Sequence, residues 1–188
     1  SFLTTRIIYS NPDLAKKTFL VTSATPGEGK TTVAVNLAMV FTQAEEKVLL
    51  VDTDLRRPRL HSIFKVDSAN GVIDLLAFDK TEIHSLIRAT GVKGLDLLTC
   101  GEVPPNPSEL LGSSRMGVLL DALKSRADVV LFDSPPALVV TDPSVLASSV
   151  DGVLVVVDST GTRSEALVRT REALERAAGQ GKILGAVL

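Results

Sequence analysis

A chain of 188 residues can bury a substantial single core, and 45% hydrophobic with 22% charged residues is the balance of an ordinary folded domain, not of a disordered tail. A net charge of −2 lacks the basic footprint that nucleic acid demands, so no nucleic-acid partner is expected. One cysteine cannot close an intrachain disulfide, which suits a reducing cytoplasm, and no apolar run has the length of a membrane span or the form of a secretory signal.

In chain order, runs rich in Val, Ile and Leu predict strands at 18–23, 47–51, 95–99, 128–132, 152–157 and 182–188. They do not alternate polar with apolar residues, so both faces are expected to be covered, as in a parallel sheet with helices on each side. Residues 31–43 predict a mostly apolar helix packed on that sheet. The segment NPSELL at 106–111 predicts a helix start, with Asn106 as N-cap, Pro107 in the first turn and Glu109 as capping partner. Residues 163–179 predict an amphipathic helix whose inner face carries Ala166, Leu167, Thr170, Leu174, Ala177 and Ala178. Asn70-Gly71 and Pro104-Pro105 mark loops, and no repeat divides the chain, so one three-layer α/β domain is expected over 1–188.

The run Ala24-Thr25-Pro26-Gly27-Glu28-Gly29-Lys30-Thr31 sits between a predicted strand and a predicted helix, the setting that a phosphate-binding loop requires. Gly27 and Gly29 allow the backbone to approach phosphates, and N–H groups at the helix start donate to them. Lys30 supplies a point charge for the β- and γ-phosphates, and the Thr31 hydroxyl can ligate Mg²⁺. Pro26, Gly27, Glu28, Gly29, Lys30, Thr31 and Thr32 are therefore the candidate nucleotide contacts. Ala24 stands where the strict pattern has its first glycine, and the strand and helix on either side carry the assignment.

A metal-bound triphosphate also needs carboxylates, which should lie at the carboxyl ends of nearby strands. Asp52 and Asp54 follow the second strand, and Asp133 follows the fourth. A lone Asp after a strand is ordinarily a turn or cap residue; three of them in a chain with a phosphate loop point to a site. Asp133 has the position of a Walker B carboxylate held to Mg²⁺ directly or through water. Asp52 and Asp54 are a second acidic pair that a plain nucleotide site does not need, and such a pair can divide labour between the metal and a proton.

The segments ATPGEGKTT, VLLVDTDLRRPRLHSIF, GEVPPNPSELL and VVLFDSPP, in this order and spacing, resemble the bacterial tyrosine kinases of capsular and exopolysaccharide assembly. The resemblance runs from about residue 18 to the end. It implies a P-loop NTPase fold with a mostly parallel sheet between helical layers, with Walker A at the first segment, Walker A′ at Asp52 and Asp54 and Walker B at Asp133. It further implies ATP and Mg²⁺ as cofactors and phosphorylation of tyrosines in the tails of neighbouring subunits, hence a homo-oligomer. A transmembrane adaptor of the polysaccharide co-polymerase type, separate or fused, would activate the domain at the inner face of the cell membrane. Within that reading Lys30, Asp52 and Asp54 are the catalytic candidates, with Thr31, Asp52 and Asp133 at the metal. Asp52 is the expected acceptor of the tyrosine proton.

Two other readings share the motifs. ParA/MinD-type ATPases use ATP as a dimerisation switch, but their signature lysine falls at Thr25 here, and Pro26 stands where they carry glycine. A nucleotide-binding scaffold without phosphoryl transfer would use ATP only to set assembly state, but Lys30, Thr31, Asp52, Asp54 and Asp133 are all present, so nothing in the site argues for a dead enzyme. The chain also departs from the kinase pattern. Its one tyrosine is Tyr9, so a tyrosine-rich tail is expected to be absent, and it stops at GAVL where the family's last strand runs on to an adenine-associated asparagine. In the expected N-terminal helix over about 1–12, Arg6 keeps one position of the family's Glu-x-x-Arg-x-x-Arg subunit contact, and Leu3 replaces the other arginine. Arg56, Arg57 and Arg59 could meet phosphate or an acidic tail, or form a solvated charge run. His61 and His84 lack partners at metal-ligand spacing, and Cys100 is expected to be a packed thiol.

Overall fold

Buried strands with no polar alternation have to sit between two helical layers, and they do. The computed structural model describes residues 17–78, 82–103 and 106–187. Leu3, Arg6, Tyr9, the expected N-terminal helix, Pro104, Pro105 and Leu188 lie outside the described residues. The strands are β1 (Lys17–Ser23), β2 (Val48–Asp52), β3 (Ile87–Ala89), β4 (Leu95–Leu98), β5 (Val129–Asp133), β6 (Gly152–Val156) and β7 (Ile183–Val187). They form one sheet in the order β3-β4-β2-β5-β1-β6-β7, parallel throughout except for β3, which runs antiparallel to β4 at one edge. The helices are α1 (Lys30–Gln43), α2 (Leu60–Phe64), α3 (Val72–Ala77), α4 (Ile83–Leu86), α5 (Pro107–Leu111), α6 (Ser114–Lys124), α7 (Asp142–Ala147) and α8 (Ser164–Ala178).

Alternate residues of the five inner strands feed two cores. Phe19, Val21, Leu50, Leu131 and Leu154 face α1, where Ala34, Leu37, Ala38 and Phe41 meet them, and the Phe19 and Phe41 rings stack with centroids 6.2 Å apart. Leu20, Leu49, Val51, Val130, Phe132 and Val153 face the other side and pack with Met116, Leu119 and Leu123 of α6, Leu146 of α7 and Leu174 of α8. This parity fixes the site. Asp52 and Asp133 end their strands two residues after Leu50 and Leu131, so both carboxylates point to the α1 side.

The six predicted strands appear within a residue or so of their expected bounds. β3 escapes the sequence pattern because three residues at an antiparallel edge, two half-buried and one exposed, carry no usable periodicity. Asn106 occupies the N-cap position of α5 with Pro107 in the first turn, but it makes no side-chain cap, and Glu109 is exposed. Its ψ of 69° falls short of the extended value that turns an N-cap side chain back on the helix amides, so the expected capping box does not form. On α8, Thr170 and Leu174 are buried and Ala166, Leu167 and Ala178 half-buried, whereas Ala177 is exposed. Cys100 is a buried free thiol; burial, then the charges of Asp52, Asp54 and Asp74, push it up to about 12, which leaves it unreactive.

Asn70-Gly71 leads directly into α3, and the Asp74 carboxylate accepts the Gly71 N–H at 2.7 Å. A Cβ on Gly71 would lie 2.0 Å from the Thr99 carbonyl oxygen and 2.5 Å from the Gly101 nitrogen, both backbone atoms that cannot swing aside. Gly71→Ala should therefore destabilise the fold by more than about 2 kcal/mol, read from urea or thermal unfolding. An unchanged melting temperature would contradict this packing.

Candidate active site

The loop between β1 and α1 turns through Gly27 (φ 87°) and Gly29 (φ 86°), a left-handed conformation that costs other residues about 1 kcal/mol or more. Gly29 is the N-cap of α1, so the open N–H groups of the first helical turn face the loop. Pro26, Gly27, Gly29, Lys30, Thr31 and Thr32 line a cleft of about 560 Å³. Glu28 does not line it. Its carboxylate accepts the Thr25 N–H (3.1 Å), the Thr25 hydroxyl (3.0 Å) and the Thr162 hydroxyl, tying the loop to the segment between β6 and α8. Burial opposes its ionisation, but the Thr162 and Thr25 hydrogen bonds hold it below its ordinary value.

The sheet places Asp52 and Asp133 side by side, as register partners of adjacent strands. Thr53 locks the strand ends together, donating its N–H (2.8 Å) and hydroxyl (2.7 Å) to the Asp133 carbonyl. The Thr31 hydroxyl donates to Asp133 Oδ2 at 2.7 Å, and the Arg59 and Leu60 N–H groups donate to Asp52 Oδ2, each at 3.1 Å. The second oxygen of each carboxylate, Oδ1, is buried without a partner among the described residues. Burial, then the charge of Asp133, pushes Asp52 up to about 7. Burial pushes Asp133 up to about 6, with the Thr31 hydrogen bond and the Lys30 charge opposing. Asp54 is half-buried and lines the cleft, its Oδ1 accepting the Arg57 N–H at 3.0 Å and the Arg56 N–H at 3.4 Å.

Two adjacent buried carboxylates with unpartnered oxygens are costly unless they share a proton or a cation. A divalent cation fits them. Mg²⁺ is ordinarily held by one or two carboxylates together with substrate phosphates, so Thr31, Asp52 and Asp133 beside the phosphate loop match its needs. Among the described residues no three His, Cys, Asp or Glu side chains form a metal cage of their own. His61 hydrogen-bonds Ser62, and His84 meets Arg126.

The cleft also has two walls beside the phosphate loop. One carries Asp54, Arg56, Arg57 and Arg59; the other is Pro135, Pro136, Val139 and Val140, with Val139 58% exposed. The second wall is pinned to β1, because Thr22 donates its hydroxyl to the Pro135 carbonyl and Ala137 its N–H to the Ser23 carbonyl, each at 2.8 Å. The proline pair after Asp133 was the available signal. Arg56, open in the sequence between phosphate, acidic tail and solvent, pairs with Asp142 through its Nε at 3.3 Å.

The raised carboxylates imply a sign for stability against pH in the metal-free protein. Asp52 titrates at about 7 when folded against 3.8 ordinarily, so between those values the native state holds a proton that the unfolded chain has lost. Its contribution to stability therefore falls as pH rises toward the folded value. Asp52→Asn cannot titrate, so its melting temperature in chelator should gain on the wild type from about pH 5 to about pH 7 and hold that lead above. A lead that shrinks as pH rises would contradict the buried, unpaired carboxylate.

Comparison with known proteins bears on this geometry. A family model described as an AAA domain matches residues 16–177. Tyrosine-protein kinase YwqD of Bacillus subtilis (strain 168) is 41% identical over 184 residues, 98% of this chain and 76% of the relative. The solved kinase domain of the Escherichia coli tyrosine kinase ETK superposes with a TM-score of 0.92 at 37% identity, over 99% of this chain and 72% of that one. The septum site-determining protein MinD of Pyrococcus horikoshii, complexed with Mg-ADP, gives a TM-score of 0.70 at 24% identity over 92% of this chain and 70% of that one, a likeness of fold alone. The chain belongs to the AAA-type P-loop domains and, within them, to the bacterial protein-tyrosine kinases.

Proposed function

We propose that this chain moves the γ-phosphoryl group of MgATP to protein tyrosine hydroxyls, as an autokinase governing capsular or exopolysaccharide polymerisation and export. The observation that supports it best is the second acidic pair. Asp133 and Thr31 suffice to grip a metal-bound nucleotide, yet β2 delivers Asp52 to the same spot and Asp54 to the adjoining cleft wall.

Lys30 and the N–H groups at the start of α1 stabilise charge developing on the phosphates, the dominant demand of phosphoryl transfer. Thr31, Asp133 and Asp52 would hold Mg²⁺, which when bound neutralises phosphate oxygens. Asp52 takes the tyrosine proton through Oδ1, the oxygen its backbone anchors leave open. Asp54 assists from the cleft wall. A tyrosine hydroxyl titrates near 10, so a nearby base helps it react. Acceptor tyrosines come from the tails of neighbouring subunits in a homo-oligomer. No helix among the described residues is long and apolar enough to cross a membrane, so a transmembrane adaptor of the polysaccharide co-polymerase type is proposed to hold the domain at the inner membrane face.

Lys30→Met should abolish phosphotyrosine formation and weaken ATP binding; unchanged activity would sink the site assignment. Asp52→Asn should keep ATP binding within about 3-fold while transfer falls by roughly 100-fold or more. Wild-type turnover in that variant would defeat the proton-acceptor role.

A further inference from the structure

The loop from Asp52 to Leu60 carries both members of the acidic pair, but its outer half is held differently from its root. Asp52 and Thr53 are fixed by β5 and by the loop's own return at Arg59 and Leu60. Leu55 is buried in the core beyond. From residues 54–58, the side-chain hydrogen bonds to another part of the described chain are those of Arg56. Its Nε meets Asp142 Oδ2 at 3.3 Å, and its Nη2 donates to Ser108 Oγ at 3.3 Å. Ser108 in turn donates to Asp142 Oδ1.

This arrangement is lopsided. The Asp142 side chain is 0% exposed, while that of Arg56 is 44% exposed and borders the cleft. A fully buried carboxylate needs hydrogen bonds and a countercharge, and Ser108 of α5 and Arg56 are the partners that its two oxygens meet. Asp142 also ends the segment that leaves Asp133 and forms the Pro135–Val140 wall. The ion pair therefore joins the loop bearing Asp54 to the far end of the opposite wall, with α5 as the third point of the clamp. The Arg56 N–H, on the same residue as the clamping guanidinium, donates to Asp54 Oδ1.

We propose that Arg56, Asp142 and Ser108 form a latch that sets the cleft width and aims Asp54, making Arg56 a positioning residue for phosphoryl transfer and not a ligand of the nucleotide. The inference rests on the kinase reading above. The latch does not touch Lys30 or Thr31, so nucleotide binding should survive its loss while transfer suffers, since misplacement near 1 Å can cost roughly 100-fold.

The test measures ATP affinity by direct binding, phosphotyrosine formation by steady-state kinetics and folding by melting temperature, in Arg56→Gln, Asp142→Asn, the double variant, Arg56→Lys and Ser108→Ala. Arg56→Gln should lower kcat by roughly 10- to 100-fold with ATP affinity changed by less than about 3-fold. The double variant should be no slower than the worse single, because both break one unit. Arg56→Lys keeps the charge but cannot span both partners, so it should recover part of the loss; Ser108→Ala should be the mildest and serves if Arg56→Gln fails to fold. Wild-type kcat in both Arg56→Lys and Ser108→Ala, multiplicative losses in the double variant, or a loss confined to ATP affinity would each overturn the latch. Absence of phosphotyrosine in the wild-type protein would instead overturn the kinase reading on which it rests.

Discussion

Two carboxylates of like charge stand side by side at the ends of adjacent buried strands, and the rest of the site follows from that placement. Parallel pairing of β2 with β5 makes Asp52 and Asp133 register partners, and strand parity turns both toward α1. Each keeps one buried oxygen without a partner among the described residues, and burial raises both out of the ordinary carboxylate range. Such a pair is a poor structural element. It becomes reasonable where a cation, a phosphate loop and a transferable proton meet, and the Thr31 hydroxyl and Lys30 bring the loop to that spot.

Around this pair the chain builds a frame of short, local ties. Thr53 binds the strand ends together, Arg59 and Leu60 return to Asp52, and Glu28 ties the phosphate loop to the segment after β6. None of these ties reaches across the cleft. The Arg56–Asp142 pair does, which is why an arginine bordering the nucleotide cleft reads better as a brace between walls than as a phosphate ligand. A rigid, preorganised site is what electrostatic catalysis of phosphoryl transfer requires, because the enzyme has little covalent chemistry to perform.

Much of this was legible in the residue string. Apolar runs without alternation gave the parallel sheet, and the strand–loop–helix context of Gly27 to Thr31 located the phosphate site. Asp52, Asp54 and Asp133 could be picked out because each follows such a run. The sequence could not show that Asp52 and Asp133 are neighbours, since 81 positions of chain separate them and only strand order joins β2 to β5. Nor could it show the destination of Arg56, whose partners lie 52 and 86 positions away. NPSELL misled in an instructive way: its helix start is real, but the functional residue in it is Ser108, not the capping pair Asn106 and Glu109. Glu28 sits within the loop motif yet turns its side chain away from the cleft, because motif membership fixes backbone position and not side-chain direction.

The fold alone does not decide between a kinase and a nucleotide-driven switch, because MinD shares it. Threonine at position 25, where the switch ATPases carry their signature lysine, separates them, and the relatives at 37–41% identity are tyrosine kinases. The most direct test follows the γ-phosphate itself. The chain, supplied with a tyrosine-bearing tail peptide and γ-labelled ATP, should deposit label on tyrosine in preference to releasing it as inorganic phosphate. Release of all label as inorganic phosphate, accompanied by ATP-dependent dimerisation and no phosphotyrosine, would contradict the account.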